Sequence, residues 1–262
     1  MWATLKTLKR MINYRVIGNN PDNEWVVMIH GAGGSTSTWI RQVPDYVRHF
    51  NLLLVDLAGH GESQDAFGSN KISFDLLADQ VMEVVDHLKL EKSHFLALSV
   101  GCIVAQKIAQ RHPSRVKKLV LAGAITRLNL KAKIIVGATN KLKRVLPFRA
   151  IKWLLVNVIL PQKETREIYM ESVEKVSYSN FLMWMEIMPK MNYVISDLFR
   201  KNCELPTMYL MGADDYFFIK EAKNAADSNP RSSFVVVPEA GHACNLDNKK
   251  YFNKASIDFF LA

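Results

Sequence analysis

Short apolar runs of four to six residues recur along this chain, separated by longer stretches whose apolar residues come every three or four positions. Runs of this length rich in Val, Ile, Leu and Phe predict buried β-strands, and the wider spacing predicts helices with one buried face. The predicted strands cover residues 25–29, 52–57, 94–98, 118–122, 207–211 and 234–237. Their alternation with helical patterns predicts an α/β fold, a mostly parallel sheet with helices on both faces.

Patterns at three other places add detail to this fold. Residues 74–88 have helical apolar spacing, and Ser73 precedes them where an N-cap residue is expected. The alternation of apolar and polar residues up to Val16 predicts one or two antiparallel edge strands. Residues 244–260 predict an amphipathic helix that closes the chain.

The short apolar runs that predict strands stop after Ile125 and resume only at residues 205–206. The intervening segment of about eighty residues has a helical pattern interrupted at Pro147, Pro161 and Pro189. We therefore expect a core built from residues 1–125 and 202–262, with a helical insertion at residues 126–201.

Ser99 stands between an apolar run and a helical pattern that begins at Val100, with Ala97 two positions before it and Gly101 two positions after it. A serine at a sharp strand-to-helix turn takes a strained backbone conformation, and larger side chains at the two flanking positions collide with neighbouring backbone. The spacing is that of a nucleophile elbow, with alanine at the first position instead of the commoner glycine. A serine that only caps the following helix is the alternative interpretation.

Four further loops follow predicted strands and carry polar residues. They are a His-Gly turn at His30, an Asp-x-x-Gly-x-Gly loop that begins at Asp56, a Gly-x-x-Asp motif that ends at Asp215 and a Gly-His pair at His242. With the serine elbow, these motifs make the chain resemble the α/β-hydrolase superfamily, in its cap-bearing branch of serine hydrolases, where serine, acid and histidine come in this order. The resemblance extends from about Ile12 to the C-terminus.

The resemblance implies a Ser-His-Asp triad. Ser99 would be the nucleophile, His242 the base that takes its proton, and Asp215 the carboxylate that orients the imidazole. Asp214 is the alternative acid, because a one-residue shift at a strand end is easily misread. The other position at which this family carries its acid corresponds to residues 123–126, which contain no carboxylate.

The resemblance also implies how the remaining loop residues act. The backbone N–H groups of Ala32 and Val100 would form an oxyanion hole. His30 and His60 are expected to align loops through hydrogen bonds, and Asp56 is expected to lie away from the serine. Relatives of this fold that open epoxides or remove halide from haloalkanes use an aspartate nucleophile, so a serine at the elbow excludes those chemistries here.

Composition sets limits on the class of protein. With 262 residues, 49% of them hydrophobic, the chain can bury a full core. The first ten residues lack the apolar core of a signal peptide, and Cys102, Cys203 and Cys244 form no paired motif, so a cytoplasmic protein is expected. Cys102 and Cys244 are expected to be small buried residues. The seven histidines show no metal-ligand spacing, and no metal or cofactor is predicted.

Positive charge concentrates in the predicted insertion. Residues 126–201 hold 14 Lys or Arg against 6 Asp or Glu, which accounts for nearly all of the formal net charge of +9. A solvated helix face is one interpretation. Attraction of an acidic partner is the other: an acyl carrier protein, an anionic membrane surface, or a substrate that carries phosphate or carboxylate. Nucleic acid is not expected, since no recognition motif accompanies the charge.

The insertion also contains an apolar run at residues 151–160 and apolar residues between Phe181 and Met191. The run has about half of the roughly twenty residues that a membrane-spanning helix needs. Helices that line a hydrophobic pocket under a cap are the better interpretation. They favour an acyl or aromatic substrate over a small polar one.

The sequence thus predicts a cofactor-independent serine hydrolase that cleaves a carboxylic ester with an apolar acyl part through an acyl-enzyme. One alternative is a methyl ester carboxylesterase or thioesterase that acts on an acyl-carrier-protein-linked substrate, similar to the carboxylesterases of biotin synthesis and recruited by the basic insertion. C–C bond hydrolysis and perhydrolysis use the same triad, and fold does not separate them. An alternative of another class is a ligand receptor that keeps a hydrolase pocket without catalysis.

Overall fold

The structure is a computed structural model that describes residues 11–67, 71–143, 145–160, 162–199 and 204–262. The predictions that involve the first ten residues, Pro161 and Cys203 fall outside these ranges.

A seven-stranded sheet forms the centre of the described part of the chain, with strand order β1-β3-β2-β4-β5-β6-β7. The strands are β1 (Tyr14–Ile17), β2 (Trp25–Ile29), β3 (Asn51–Val55), β4 (Ser93–Leu98), β5 (Val116–Ala122), β6 (Thr207–Gly212) and β7 (Ser232–Val237). Only β1 runs antiparallel, at the edge beside β3, and every other neighbouring pair is parallel. The predicted mostly parallel sheet and its antiparallel edge are confirmed.

One strand ends earlier than its apolar run predicts. The run continues to Leu57, but β3 ends at Val55. The Leu57 N–H donates to the ring of His30, 3.0 Å away, instead of to a neighbouring strand. The chain therefore leaves the sheet, although its side chains remain buried.

Helices cover both faces of the sheet. They are α1 (Val43–Tyr46), α2 (Phe74–His87), α3 (Val100–Arg111), α4 (Leu130–Leu142), α5 (Phe148–Ile159), α6 (Lys163–Lys175), α7 (Tyr178–Ile187), α8 (Met191–Leu198), α9 (Ile219–Asp227), α10 (Cys244–Asp247) and α11 (Lys249–Leu261). Successive residues of β2 belong to two separate apolar clusters. Val27 packs on the side of α2 and α3, and Val26 packs on the side of α1 and α11. This alternation follows from the two-residue period of a strand.

The predicted helix at residues 74–88 is present as α2, and the Ser73 hydroxyl accepts the N–H of Leu76 as an N-cap. The predicted single helix at residues 244–260 is wrong. It is divided into α10 and α11 at Asn248, whose backbone (φ −130°, ψ 70°) is not helical. The Asn248 side chain instead caps α11 by accepting the N–H of Tyr251.

The helices α4 to α8 all lie between β5 and β6, where the short apolar runs of the sequence stop. Two side-chain hydrogen bonds hold this helical segment in place. Asn192 in α8 accepts the N–H of Leu128, just before α4, and Asn129 donates to the carbonyl of Phe217, in the loop after β6. The segment therefore stands over the ends of β5 and β6, beside the loop that contains Asp215.

Candidate active site

Ser99 lies at the turn between β4 and α3 in a strained conformation, with φ of 56° and ψ of −120°. Its N–H donates to the carbonyl of Ala122 and its carbonyl accepts the N–H of Cys102, so the neighbouring strand and helix hold the strain in place. A Cβ at residue 101 would lie 2.6 Å from the carbonyl oxygens of Ile29 and His30. Only glycine lets α3 start this close to β2.

His242 lies in the loop after β7, and both of its ring nitrogens have partners. Nε2 is 2.8 Å from the Ser99 hydroxyl oxygen, and Nδ1 is 2.8 Å from Oδ2 of Asp215. Because the carboxylate can only accept, Nδ1 carries the proton, and Nε2 is the acceptor that faces the serine hydroxyl. The three side chains are buried, so water competes little with these hydrogen bonds.

The carboxylate next to His242 belongs to Asp215, not to Asp214. The Asp214 side chain points elsewhere and accepts a hydrogen bond from the Tyr216 hydroxyl, which raises the pKa of Tyr216. The end of β6 and the loop of His242 approach closely here: a Cβ at residue 212 would lie 2.1 Å from the carbonyl oxygen of Gly241. The glycine of the Gly-x-x-Asp motif thus lets the loops of Asp215 and His242 come together.

Ala32 and Val100 both line the cavity beside Ser99. Within the described residues, neither backbone N–H donates to another protein group. Two backbone N–H groups that have no other acceptor are what a developing oxyanion needs.

Two buried histidines hold the loop that contains Ala32. Nε2 of His60 accepts the N–H of Gly33 at 2.8 Å, and Nε2 of His30 accepts the N–H of Leu57. Burial lowers the pKa of His30, and burial together with His30 lowers the pKa of His60 to about 3. Both rings are therefore neutral at pH 7, as these acceptor roles require.

Tyr169 is a further contact that the sequence does not reveal. Its hydroxyl, on α6, donates to the carbonyl oxygen of Ala32 at 2.7 Å. Tyr169 belongs to no motif and lies 137 positions from Ala32 along the chain, so no local sequence pattern indicates the contact. It ties the helical segment to the loop beside Ser99.

A cavity of about 230 Å³ adjoins Ser99 and His242. The helical segment supplies most of its wall, including Leu155, Val156, Ile159, Phe181, Trp184, Met185, Met188 and Met191. Of the apolar residues near α7, Met183 and Ile187 pack against the main core instead. The wall is almost entirely apolar, so it suits a hydrophobic group.

Lys152 is a buried cation in the wall of this cavity. Its ammonium donates to the carbonyls of Val173 and Glu174 at the end of α6, and it lies 4.4 Å from the centre of the Phe148 ring. Burial lowers the pKa of Lys152, the nearby Glu174 carboxylate raises it, and the positive charge of Arg149 lowers it further.

The described residues do not meet the requirements of a metal site, a membrane-spanning helix or a reactive cysteine. No three His, Cys, Asp or Glu side chains in these ranges stand together as metal ligands. None of the helices described is both long and apolar enough to span a membrane. Cys102 and Cys244 are both buried free thiols, and burial raises the pKa of each.

Comparison with known proteins agrees with the fold. The sequence model of a family described as "alpha/beta hydrolase fold" matches residues 24–249. The chain is 23% identical over 259 residues to a putative carbamate hydrolase RutD of Yersinia enterocolitica, with 93% of this chain and 89% of that protein covered. A solved esterase (EaEST) of Exiguobacterium antarcticum superimposes with a TM-score of 0.84 at 20% identity, with 96% of each chain covered.

A third similar protein is longer. The chain is 24% identical over 243 residues to the dihydrolipoyllysine-residue acetyltransferase component of the acetoin cleaving system of Pseudomonas putida. The match covers 89% of this chain but spans only 62% of that protein. The similarity therefore concerns one part of a larger protein.

Proposed function

The chain belongs to the alpha/beta hydrolase fold family, and from that membership we propose that it is a serine hydrolase that cleaves a carboxylic ester through an acyl-enzyme. The observation that carries the proposal is the unbroken hydrogen-bonded series from Asp215 through His242 to Ser99, with both distances 2.8 Å. An apolar cavity adjoins the serine. The names of the compared proteins, an esterase and a putative carbamate hydrolase, are consistent with an ester or a related carbonyl compound.

The reaction begins when the Ser99 oxygen attacks the ester carbonyl while Nε2 of His242 takes the hydroxyl proton. Asp215 stabilises the imidazolium that forms. The N–H groups of Ala32 and Val100 bind the oxyanion of the tetrahedral intermediate. His242 then returns the proton to the departing alkoxide, so the alcohol leaves and the acyl group stays on Ser99.

Water completes the cycle. His242 removes a proton from a water molecule as its oxygen attacks the acyl-enzyme, and a second tetrahedral intermediate forms in the same oxyanion hole. When this collapses, the proton passes to the Ser99 oxygen and the carboxylic acid is released. Each turnover therefore consumes one ester and one water and needs no metal or redox group.

The helical insertion at residues 126–201 acts as a cap over a core made of residues 1–125 and 202–262. Its contacts with the cavity and the Tyr169 bond to the Ala32 loop support this role. The cavity volume of about 230 Å³ lies below the range of roughly 300–1,000 Å³ typical of drug-sized ligands. We therefore expect a small or medium-sized apolar acyl group, and we expect activity in the cytoplasm.

The proposal is tested with p-nitrophenyl esters of two to sixteen carbons. Hydrolysis should show an optimum in chain length set by the cavity, and Ser99→Ala should lower kcat/KM by more than about a thousandfold, because the nucleophile is lost while the oxyanion donors remain. Ester hydrolysis by Ser99→Ala at the wild-type rate would refute the mechanism.

A fluorophosphonate that labels active serines separates catalysis from mere binding. It should add one phosphonyl group to the wild-type protein and none to Ser99→Ala, as read by mass spectrometry. A wild-type protein that resists the label but binds esters is a receptor of hydrolase fold. Labelling without turnover of free esters would favour the carrier-linked ester or thioester, and charge reversal at Lys141 and Lys143 should then impair that substrate alone.

A further inference from the structure

The outward side of α5 is mainly apolar, with Arg149 in its first turn as the exposed charged residue. Trp153 is 60% exposed, and Leu154 and Val158 are each 37% exposed. The sole lysine of this helix, Lys152, is instead buried against the end of α6. A helix packed on a globular protein normally turns its charges to water and its apolar stripe inward.

The turn before α5 extends this apolar surface. Val145 is 80% exposed and Leu146 is 37% exposed, and the N–H groups of both donate to the carbonyl of Leu142, so the turn is closed tightly against the end of α4. We call these exposed side chains, from Val145 to Val158, the outer α5 face. Five large apolar side chains exposed within fourteen residues are more than the single exposed residues of an ordinary surface and indicate an interaction site.

Positive charge lies at one end of the outer α5 face. Lys141 and Arg149 are exposed, and Lys143 is half-buried between them. The sequence contains no Asp or Glu from residue 92 to residue 163. No acid of this stretch neutralises these cations, although the Glu174 carboxylate on α6 acts on Lys152 beside Arg149. Their net positive charge favours an anionic partner.

We propose that the outer α5 face binds the surface of an anionic lipid bilayer. Exposed tryptophan and aliphatic side chains beside lysine and arginine are the combination that lies at a membrane interface. The twelve residues of α5 are about 18 Å long, too short to cross a hydrocarbon core of roughly 30 Å, so the helix lies along the surface.

Two other binding partners, a second copy of the chain and an acidic protein, match the charges and side chains of the outer α5 face less well. A second copy docked on the same face would bring two sets of cations together with no acid of this stretch to pair them. An acidic protein would need polar contacts, whereas the exposed residues from 150 to 158 are mainly apolar. An anionic bilayer can bury the apolar side chains and attract the positive charge with its headgroups.

The inner side of α5 connects the proposed lipid-binding face to the cavity beside Ser99. Phe148, Leu155 and Ile159 line the apolar cavity beside Ser99. A bilayer bound to the outer α5 face lies about one helix diameter, roughly 10 Å, from that cavity. The position suits a protein whose hydrophobic ligands partition into lipid.

Sedimentation with sucrose-loaded vesicles tests the proposal on the full chain without any substrate, so the result is independent of catalysis. The protein should sediment with vesicles of equal parts phosphatidylcholine and phosphatidylglycerol, and much less with phosphatidylcholine alone or in high salt. Lys141→Gln with Arg149→Gln should lower the partition coefficient about 25-fold, from about fivefold for each cation. Trp153→Ser should lower it about tenfold.

Matched variants outside the outer α5 face serve as controls. Ile40, 63% exposed, is changed to serine, and Lys249 and Lys250, both exposed on α11, are changed to glutamine. These proteins should partition like the wild type, and all variants should keep its thermal midpoint. Failure to sediment with anionic vesicles, or equal losses in the controls, would overturn the proposal. So would a dimer in analytical ultracentrifugation that Trp153→Ser abolishes without any vesicle binding.

Discussion

At the scale of single residues, the site depends on which of two adjacent aspartates faces His242. The sequence allows Asp215 or Asp214, and in the structure Asp215 makes the 2.8 Å contact while Asp214 bonds to Tyr216. A carboxylate in this position keeps the proton on Nδ1 and leaves Nε2 free to accept one from Ser99. The two aspartates therefore provide a matched pair for mutation.

Asp215→Asn should lower kcat for ester hydrolysis by about 10⁴, because the amide no longer selects the tautomer that accepts the Ser99 proton. Asp214→Asn should leave kcat within about threefold of the wild type, since its partner is an exposed tyrosine. Steady-state kinetics on the preferred p-nitrophenyl ester measure both. Equal losses in the two variants would mean that the acid has been assigned wrongly.

At the scale of elements, the serine turn depends on how closely α3 starts beside β2. The first turn of α3 passes the end of β2 at a distance that leaves no room for a methyl group at residue 101, because the nearest atoms are the backbone oxygens of Ile29 and His30. Backbone at the centre of a sheet cannot move aside as a flexible side chain can. Residue 137 in α4 is the contrasting case, with nothing within 4 Å of an added Cβ.

Gly101→Ala should lower the free energy of unfolding by about 1–3 kcal/mol through overpacking. Gly137→Ala should instead raise it by up to about 1 kcal/mol, because alanine favours a helix over glycine where space is free. Urea unfolding followed by circular dichroism measures both. A Gly101→Ala protein as stable as the wild type would show that α3 can shift away from β2.

At the scale of the whole molecule, two buried neutral histidines couple the stability of the fold to pH. His60 keeps its ring neutral down to a pKa of about 3, against an ordinary value of 6.5. As the pH falls through 6.5, the unfolded chain binds a proton at residue 60 and the folded chain does not. Stability is therefore lost as the pH falls from about 6.5 towards 3, and His30, whose pKa is also lowered, acts in the same direction.

Lowering the pH from 7 to 5 should cost the wild-type fold about 2 kcal/mol at His60 alone. His60→Gln keeps an acceptor for the N–H of Gly33 but does not titrate, so its loss of stability between these pH values should be smaller by that amount. Urea unfolding at both pH values is the measurement. Parallel behaviour of His60→Gln and wild type would contradict this account.

The sequence by itself determined the strands, the α2 helix and the place of Ser99 at the end of β4. These features are local: an apolar run of strand length is buried wherever it pairs, and a serine between small residues marks a tight turn without reference to the rest of the chain. The family motifs then put Ser99, Asp215 and His242 in order along the chain. Their order along the chain does not give the distances between their side chains.

Only the tertiary structure decided the contacts between residues far apart in sequence. It brought Asp215 rather than Asp214 to His242, joined Tyr169 to the Ala32 loop, divided the last helix at Asn248, and turned Lys152 inward with Trp153 outward. Two adjacent residues, such as Asp214 and Asp215, have almost the same local sequence, so local sequence does not say which of them makes the contact. The choice between them depends on which partners packing brings within hydrogen-bond distance, and a periodic pattern does not record it.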